Sequence, residues 1–342
     1  MTTPTRRRVL VTGATGLLGA YIARLLVRDA GLEVRATKRA SSSTALLAEA
    51  AARIDWVTGD LLDLDVQDEA MDGVDVVVHA AGLVSYKPGD SKRLKAVNVG
   101  LTEDLVNLAL EREVSQFVHV SSIAAISPAR DTETISERHR TFHPAANTTR
   151  YAVSKYEGEL HVWRGHEEGL PVTILNPSVV LGAGYWDRSS CRLFDWVARR
   201  QRFYPPGGTG YVDVRDIAAF AKTCIDESVT GRRFVLSAEN WTYKRFFDAV
   251  AAELNVEPPR TRVNPWQAEL AWRGEAVRAA VTGDTPLLTK ESARRSMSLS
   301  EFDNAQSLAT GARYRPVAET IAQTAEAYAK TRDAGFGVLP IE

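Results

Sequence analysis

Val9-Leu10-Val11-Thr12-Gly13-Ala14-Thr15-Gly16-Leu17-Leu18-Gly19 places three glycines at GxxGxxG spacing, between a β-branched apolar run and the start of an amphipathic one. Gly13 permits a tight turn, Gly16 lets the backbone come close to a pyrophosphate, and Gly19 lets a helix lie against the strand. The helix N-terminus then presents free amides to the anion. Gly13, Thr15, Gly16, Leu17 and Leu18 form the candidate phosphate cradle. Glycine spacing by itself is weak, since an ordinary strand-to-helix turn has it too. The motif's position at the head of a repeating pattern gives it weight.

Downstream, short Val- and Ile-rich runs alternate with amphipathic segments, the pattern of a parallel sheet with helices on both faces. The pattern predicts strands at residues 9–12, 33–37, 54–57, 74–79, 116–121 and 172–176, and helices at 17–28, 44–52, 92–112 and 151–168. Six strands with such crossovers make an α/β fold, a doubly wound parallel Rossmann sheet. After Pro177 the character changes, with Gly, Pro, Trp and Tyr clustered between Gly182 and Tyr211. A helix at 213–227 and a strand at 233–236 are expected to return to the sheet, and helices at 243–254, 265–280 and 317–332 to complete a smaller lobe. The expected division is residues 1–177 for the dinucleotide-binding domain, with 213–237 returning to it, and 178–342 for a partly interleaved substrate-binding lobe.

Bulk properties narrow the function. The 342 residues are 25% charged and 44% hydrophobic, with a formal net charge of −1. No global field attracts nucleic acid or anionic lipid. Arg6-Arg7-Arg8 leads into an apolar run that breaks at Gly13, too short for a signal peptide. No stretch approaches the roughly 18 to 20 apolar residues that span a bilayer. A cytoplasmic location, with no membrane or nucleic-acid partner, is expected. Cys191 and Cys224 match neither a metal pattern nor a CxxC redox pair, so no metal site is expected.

The end of the second strand bears on the cofactor. An acid there would bind the adenosine ribose hydroxyls of NAD, whereas a cation would accommodate a 2′-phosphate. The stretch reads Val34-Arg35-Ala36-Thr37-Lys38-Arg39-Ala40-Ser41-Ser42-Ser43 and contains no acid. Arg39 is assigned to the phosphate, while Lys38 reads equally well as a solvated charge. NADP(H) is therefore preferred, with NAD(H) possible. Asp60-Leu61 sits where an adenine amino group would be met, although an Asp there is also a common turn residue.

Tyr151-Ala152-Val153-Ser154-Lys155 opens a helix, and the spacing of four puts Tyr151 and Lys155 on one face. Bringing a tyrosine from its ordinary pKa near 10 to about 7 takes roughly 4 kcal/mol. An ammonium about 4 Å away at an effective dielectric near 20 supplies roughly that much. A YxxxK by itself is a common accident. Val118-His119-Val120-Ser121-Ser122 at the end of the fifth strand supplies a hydroxyl where substrates lie in such sheets.

These motifs carry a family likeness. The sequence resembles extended short-chain dehydrogenase/reductases of the NAD-dependent epimerase/dehydratase superfamily. Within that group it is similar to the branch of dihydroflavonol reductases and related aldehyde and ketone reductases. The likeness runs through Gly13–Gly19, His79-Ala80-Ala81-Gly82, Lys95-Ala96-Val97-Asn98, Ser121-Ser122, Tyr151–Lys155, Asn176-Pro177-Ser178-Val179 and Val212–Asp216. It implies Tyr151 as proton donor, Lys155 as its tuning partner and holder of the nicotinamide ribose, and Ser122 rather than Ser121 as the group orienting the carbonyl. Ala80, Ala81 and Gly82 would line the cofactor, and Pro177 and Val179 would border the nicotinamide. His79 is expected to be structural and Asn98 to brace backbone.

Two departures matter. Epimerases and dehydratases of the superfamily commonly have Arg-Pro where this chain has Asn176-Pro177. The dehydratases carry an acidic pair after the catalytic hydroxyl, where Ile123-Ala124-Ala125 stands here. The reductase branch often has a second cation beyond the Arg39 position, and the region around Leu46 is apolar instead. The readings are a carbonyl reductase, a nucleotide-sugar epimerase with bound NAD, and a non-catalytic NADP(H)-sensing protein. The first expects a small carbonyl or alcohol substrate lined by Leu181, Tyr185 and Trp186, with Arg188, Arg192 and Arg202 the only nearby cations for a diphosphate. The helices at 92–112 and 151–168 could pair two copies into a homodimer through Val99, Leu105, Val106, Leu160, Val162 and Trp163.

Overall fold

The computed structural model describes residues 6–126, 134–139, 142, 148–282, 290–333 and 340–341. Its strands, in chain order, are β1 (Arg7–Thr12), β2 (Leu32–Lys38), β3 (Asp55–Thr58), β4 (Val76–His79), β5 (Gln116–Val120), β6 (Val172–Pro177), β7 (Val179–Leu181), β8 (Phe203–Tyr204), β9 (Gly208–Asp213), β10 (Arg232–Leu236), β11 (Glu239–Thr242) and β12 (Thr261–Arg262). Its helices are α1 (Leu17–Leu26), α2 (Leu64–Met71), α3 (Ser91–Lys95), α4 (Leu101–Glu111), α5 (Arg150–Glu167), α6 (Arg192–Ala198), α7 (Val214–Asp226), α8 (Tyr243–Glu253), α9 (Pro265–Thr282), α10 (Lys290–Arg295), α11 (Ala305–Ala309) and α12 (Val317–Asp333).

Seven strands form one sheet in the order β10-β6-β5-β4-β1-β2-β3, every pairing parallel. Alternation along β1 explains why both faces are covered. Val9 and Val11 pack on one side with residues of α1 and α7, and Leu10 packs on the other with Leu105 and Val106 of α4. The strand order reverses between β1 and β4, and ligands bind beyond the carboxyl ends at such a switch point.

The chain after β6 makes a smaller sheet, in which β9 pairs antiparallel with β11 and parallel with β7. Its own core joins Phe194, Tyr211, Trp241, Phe246, Ile321 and Tyr328, with the Tyr211 and Phe246 rings stacked 4.6 Å apart. Strand β10 leaves this region and pairs with β6 in the large sheet.

Three local readings change. The stretch expected as a helix at 44–52 is short 3₁₀ turns over Ala45–Arg53, broken where Ala48 adopts φ 49°. The helix expected at 92–112 is interrupted by a π turn, Ala96–Gly100, between α3 and α4. Helix α2 has no counterpart in the sequence reading, because it buries only Gln67, Ala70 and Met71 and carries no apolar stripe. Among the described residues no helix is long and apolar enough to cross a membrane.

Candidate active site

The glycine turn is pressed against the loop after β4. Gly13 takes a left-handed φ of 70°, and a Cβ there would meet Ala81 N at 2.6 Å and Ala80 O at 2.7 Å. Gly16 caps α1 without any side-chain hydrogen bond, so the first helical amides, at Leu17 and Leu18, remain available to an anion. Thr15 is half-exposed at the same turn. The close-packed glycine turn and the amides it leaves available fit the pyrophosphate of a dinucleotide.

A chain of hydrogen bonds fixes the floor. Thr12 Oγ1 accepts from Ala81 N at 3.1 Å, which directs its own proton to His79 Nδ1 at 2.8 Å. His79 Nε2 then donates to Thr102 Oγ1 at 3.0 Å, and Thr102 donates to Asn98 O at 3.0 Å. Burial, reinforced by the Lys155 charge, pushes the His79 pKa down to about 3, so the ring is neutral and structural. Asn98 lies in the π turn and braces the neighbouring loop. Its Oδ1 accepts from Leu83 N at 2.8 Å, and its Nδ2 donates to Leu83 O and Ser154 Oγ, each at 2.9 Å.

Ser122, Tyr151 and Lys155 converge at the carboxyl end of β5. Thr149 caps α5 by accepting from Ala152 N at 2.9 Å, which sets Tyr151 in the first turn. Tyr151 hydrogen-bonds with the Ser122 hydroxyl, which also accepts from Ala124 N at 3.1 Å. Ser121 is buried, and its hydroxyl has no hydrogen-bond partner among the described residues. Burial holds the Tyr151 phenol above its ordinary pKa, against the opposing pull of the Ser122 bond and Arg295. The phenol therefore starts protonated. The Lys155 Nζ donates to Val120 O at 2.9 Å. A lysine only 4% exposed needs an acceptor, and burial, opposed by Glu159, pushes its pKa down to about 8.

Behind this trio lies a buried polar network. Asn176 Nδ2 donates to Ser122 O at 2.8 Å and to Glu159 Oε1 at 2.5 Å. Arg233 Nη1 donates to Glu159 Oε2 at 3.3 Å, and its Nη2 donates to the carbonyls of Glu137 and His139 at 3.2 and 2.6 Å. Asn176 is fully buried in the wall, its Nδ2 taken up by Ser122 and Glu159. Its identity therefore carries no argument about substrate.

The remaining assignments divide. Arg39 is exposed and has no ion pair among the described residues, whereas Lys38 lies over the Trp56 ring at 4.9 Å. Asp60 accepts from Leu62 N at 3.1 Å within its own turn, and Leu61 O accepts from Gln67 Nε2 at 2.9 Å. Ala80 and Ala81 are half-buried, and Gly82 lies open beside Lys155, whose Nζ would be 3.8 Å from a Cβ there. Pro177 ends β6 against Leu236, and Val179 is half-buried in β7.

The expected substrate lining is corrected. Leu181 is buried in the second lobe's core, and Trp186 packs there against Tyr328 at 5.0 Å while donating to Thr331 Oγ1 at 2.8 Å. The Tyr185 hydroxyl donates to Ser43 O at 3.2 Å, on the Arg39 side of the glycine turn. A Cβ on Gly184 would meet Leu17 Cδ1 at 2.8 Å, so the 182–186 loop packs against the first residue of α1. Asp195 pairs with Arg199 at 2.9 Å. Tyr86, whose ring meets the Tyr151 ring edge-on at 6.0 Å, and Arg295, whose charge acts on the Tyr151 phenol, were not singled out from sequence. Glu159 was missed as well, although its spacing of four from Lys155 on α5 was a readable signal.

A dinucleotide cradle facing a Ser-Tyr-Lys cluster on a parallel sheet defines an NAD(P)-dependent enzyme of the short-chain dehydrogenase/reductase type. The sequence profile of the NAD dependent epimerase/dehydratase family matches residues 9–236, and the chain belongs to that family, which binds NAD(H) or NADP(H). It is 34% identical over 261 residues to sterol demethylase protein B of Methylococcus capsulatus, covering 75% of this chain and 77% of the relative. It is 29% identical over 303 residues to a dihydroflavonol 4-reductase homologue of Synechocystis, covering 86% of each. The crystal structure of gox2253 superposes with a TM-score of 0.79 at 26% identity, over 96% of this chain and 98% of the other.

Proposed function

We propose that this protein is an NADP(H)-dependent oxidoreductase that reduces a ketone or aldehyde, with Tyr151 as the proton donor. The observation that carries this reading is the Ser122–Tyr151 hydrogen bond, with the buried Lys155 one turn further along the same helix. When bound in the cradle, the cofactor supplies hydride to the carbonyl carbon. Ser122 holds the carbonyl oxygen, and Tyr151 gives that oxygen its proton. Lys155 holds the nicotinamide ribose, and its charge eases the phenolate left on Tyr151.

Gly13, Thr15, Gly16, Leu17 and Leu18 hold the pyrophosphate, and Arg39 the 2′-phosphate. Asp60 and Leu61 border the adenine, and Ala80, Ala81, Gly82, Pro177 and Val179 the nicotinamide side. Ile123-Ala124-Ala125 offers no acid or base for dehydration. On this reading residues 1–177 and 213–237 serve the cofactor and the rest of 178–342 the substrate, in a cytoplasmic protein. Self-association through α4 and α5 has less support than the sequence suggested. Leu105, Val106 and Val162 are core, leaving Leu160 as an exposed apolar residue between charges such as Glu103 and Arg164. A dimer would double the mass seen by light scattering.

The test is oxidation of NADPH in the presence of aromatic and aliphatic ketones, aldehydes and nucleotide sugars. Turnover of the carbonyl compounds is expected. Conversion of a nucleotide sugar alone, without net change in the cofactor, would replace this reading by an epimerase.

A further inference from the structure

Arg295 ends α10, and the segment after it is fastened to the second lobe. Gly207 N donates to Ser296 O at 3.0 Å, Gly208 N donates to Ser298 O at 3.2 Å, and Tyr243 N donates to Gly207 O at 2.9 Å. A Cβ on Gly207 would meet Ser298 O at 2.2 Å, so the two backbones are in direct contact. These bonds bring the end of α10 to the head of α8, where Tyr243 lies. On the opposite side, the Tyr86 ring meets the Tyr151 ring edge-on at 6.0 Å. Arg295 and Tyr86 each act electrostatically on both Tyr151 and Tyr243. Side chains from the loop before α3, from α5, from α8 and from α10 thus share one electrostatic neighbourhood, with Tyr86 against Tyr151 and the end of α10 at the head of α8.

Arg295 is half-buried, and no carboxylate pairs with it among the described residues. Its cationic neighbours in sequence and space are already engaged. Arg294 bonds Glu269 at 3.1 Å, Lys244 bonds Asp248 at 2.6 Å, and Arg245 lies over the Trp241 ring at 3.7 Å. A guanidinium without a counter-ion is open to a ligand that brings one. One available cation suits one negative charge, and a diphosphate would ask for at least two.

Building on the oxidoreductase reading, we propose that Arg295 is a substrate anchor and that the substrate is a carbonyl compound bearing a carboxylate. The planar fork of Arg295 takes the carboxylate through two parallel N–H bonds. Tyr86 and Tyr243 offer aromatic surface to the body of the molecule between its ends. With the acid end fixed, the carbonyl is presented to Ser122 and Tyr151 in one orientation.

The test uses the protein loaded with NADPH, titrated with benzoylformate and 3-benzoylpropionate and with their methyl esters. Cofactor fluorescence reports binding, and absorbance reports turnover. The acids are expected to bind ten- to a hundredfold more tightly than the esters, on the order of one charged hydrogen-bonded contact. Arg295→Ala should erase that preference and Arg295→Lys should retain part of it. Arg294→Ala should leave it intact. Equal binding of acid and ester by the parent, or a preference that survives Arg295→Ala, overturns the anchor. Tighter binding of 4-acetylphenyl phosphate than of either acid overturns the choice of a carboxylate. An Arg295-dependent acid preference without turnover of any carbonyl compound supports the anchor and counts against the oxidoreductase reading, so the two fail separately.

Discussion

Lys155 donates its Nζ to the main-chain carbonyl of Val120 at 2.9 Å, inside a wall where burial pushes its pKa from 10.5 down to about 8. A lysine is charged below its pKa, so the ammonium is lost as pH rises through about 8. The kcat/KM for the cofactor reports groups of the free enzyme, and it should fall on the alkaline side with a midpoint near that value. Stability should move the other way. Between about 8 and 10.5 the folded state holds fewer protons than the unfolded one, so stability should rise with pH across that window relative to Lys155→Met. Urea titrations of both proteins at several pH values check the sign. A flat difference would show that Lys155 is not desolvated as described.

Tyr151→Phe should keep cofactor affinity near the parent's and lose roughly a hundred- to ten-thousandfold in kcat, because it removes a proton donor and leaves the ring in place. Burial holds the phenol above its ordinary pKa, so the group is protonated and has a proton to give when charge develops on the carbonyl oxygen. Steady-state kinetics with any accepted carbonyl compound decides the matter. Turnover within threefold of the parent, a margin well short of about one tenfold step, would exclude Tyr151 from the chemistry.

Arg39 has no ion pair among the described residues, at the turn where Ser42 N donates to Arg39 O at 2.9 Å. NADPH should bind more tightly than NADH, and Arg39→Ala should shrink that gap by about ten- to a hundredfold. Lys38→Ala should do less, since Lys38 is occupied over Trp56. Fluorescence titration of both cofactors measures the gap directly. Equal affinities in the parent would remove the 2′-phosphate assignment.

What was legible in the sequence was what is local. The glycine turn declares itself within Gly13–Gly19, and Tyr151 with Lys155 within one helical turn, because strand, turn and helix geometry are set by neighbours in the chain. Strands β7, β9 and β11 were not legible. They are short, and β9 is buried along its whole length, so no alternation marks it. Arg295, Tyr243 and Tyr86 lie in three separate segments, and no spacing rule links them. The same limit explains Lys155, since helical spacing gives its direction, while its acceptor, Val120 O, comes from another strand. Asn176 shows the converse. It was read as a missing arginine, yet the cation that neutralises Glu159 arrives from Arg233 on β10.

That Glu159–Arg233 pair supports the last prediction. Glu159 is 1% exposed and Arg233 7%, and between them they hold Asn176, hence the Ser122 carbonyl, and the carbonyls of Glu137 and His139. Removing one partner leaves the other charge buried, which costs about 3–5 kcal/mol. Glu159→Gln should be milder than Glu159→Ala, because the amide still accepts from Asn176. Arg233→Met should cost the most, since it strands Glu159 and frees two carbonyls. Replacing both, as Glu159→Leu with Arg233→Met, should recover part of the loss, because two uncharged side chains leave no unpaired ion. Urea denaturation of the four variants measures this. If the single and double variants were all as stable as the parent, the pair would be ornamental and Ser122 would have to be positioned by its strand alone.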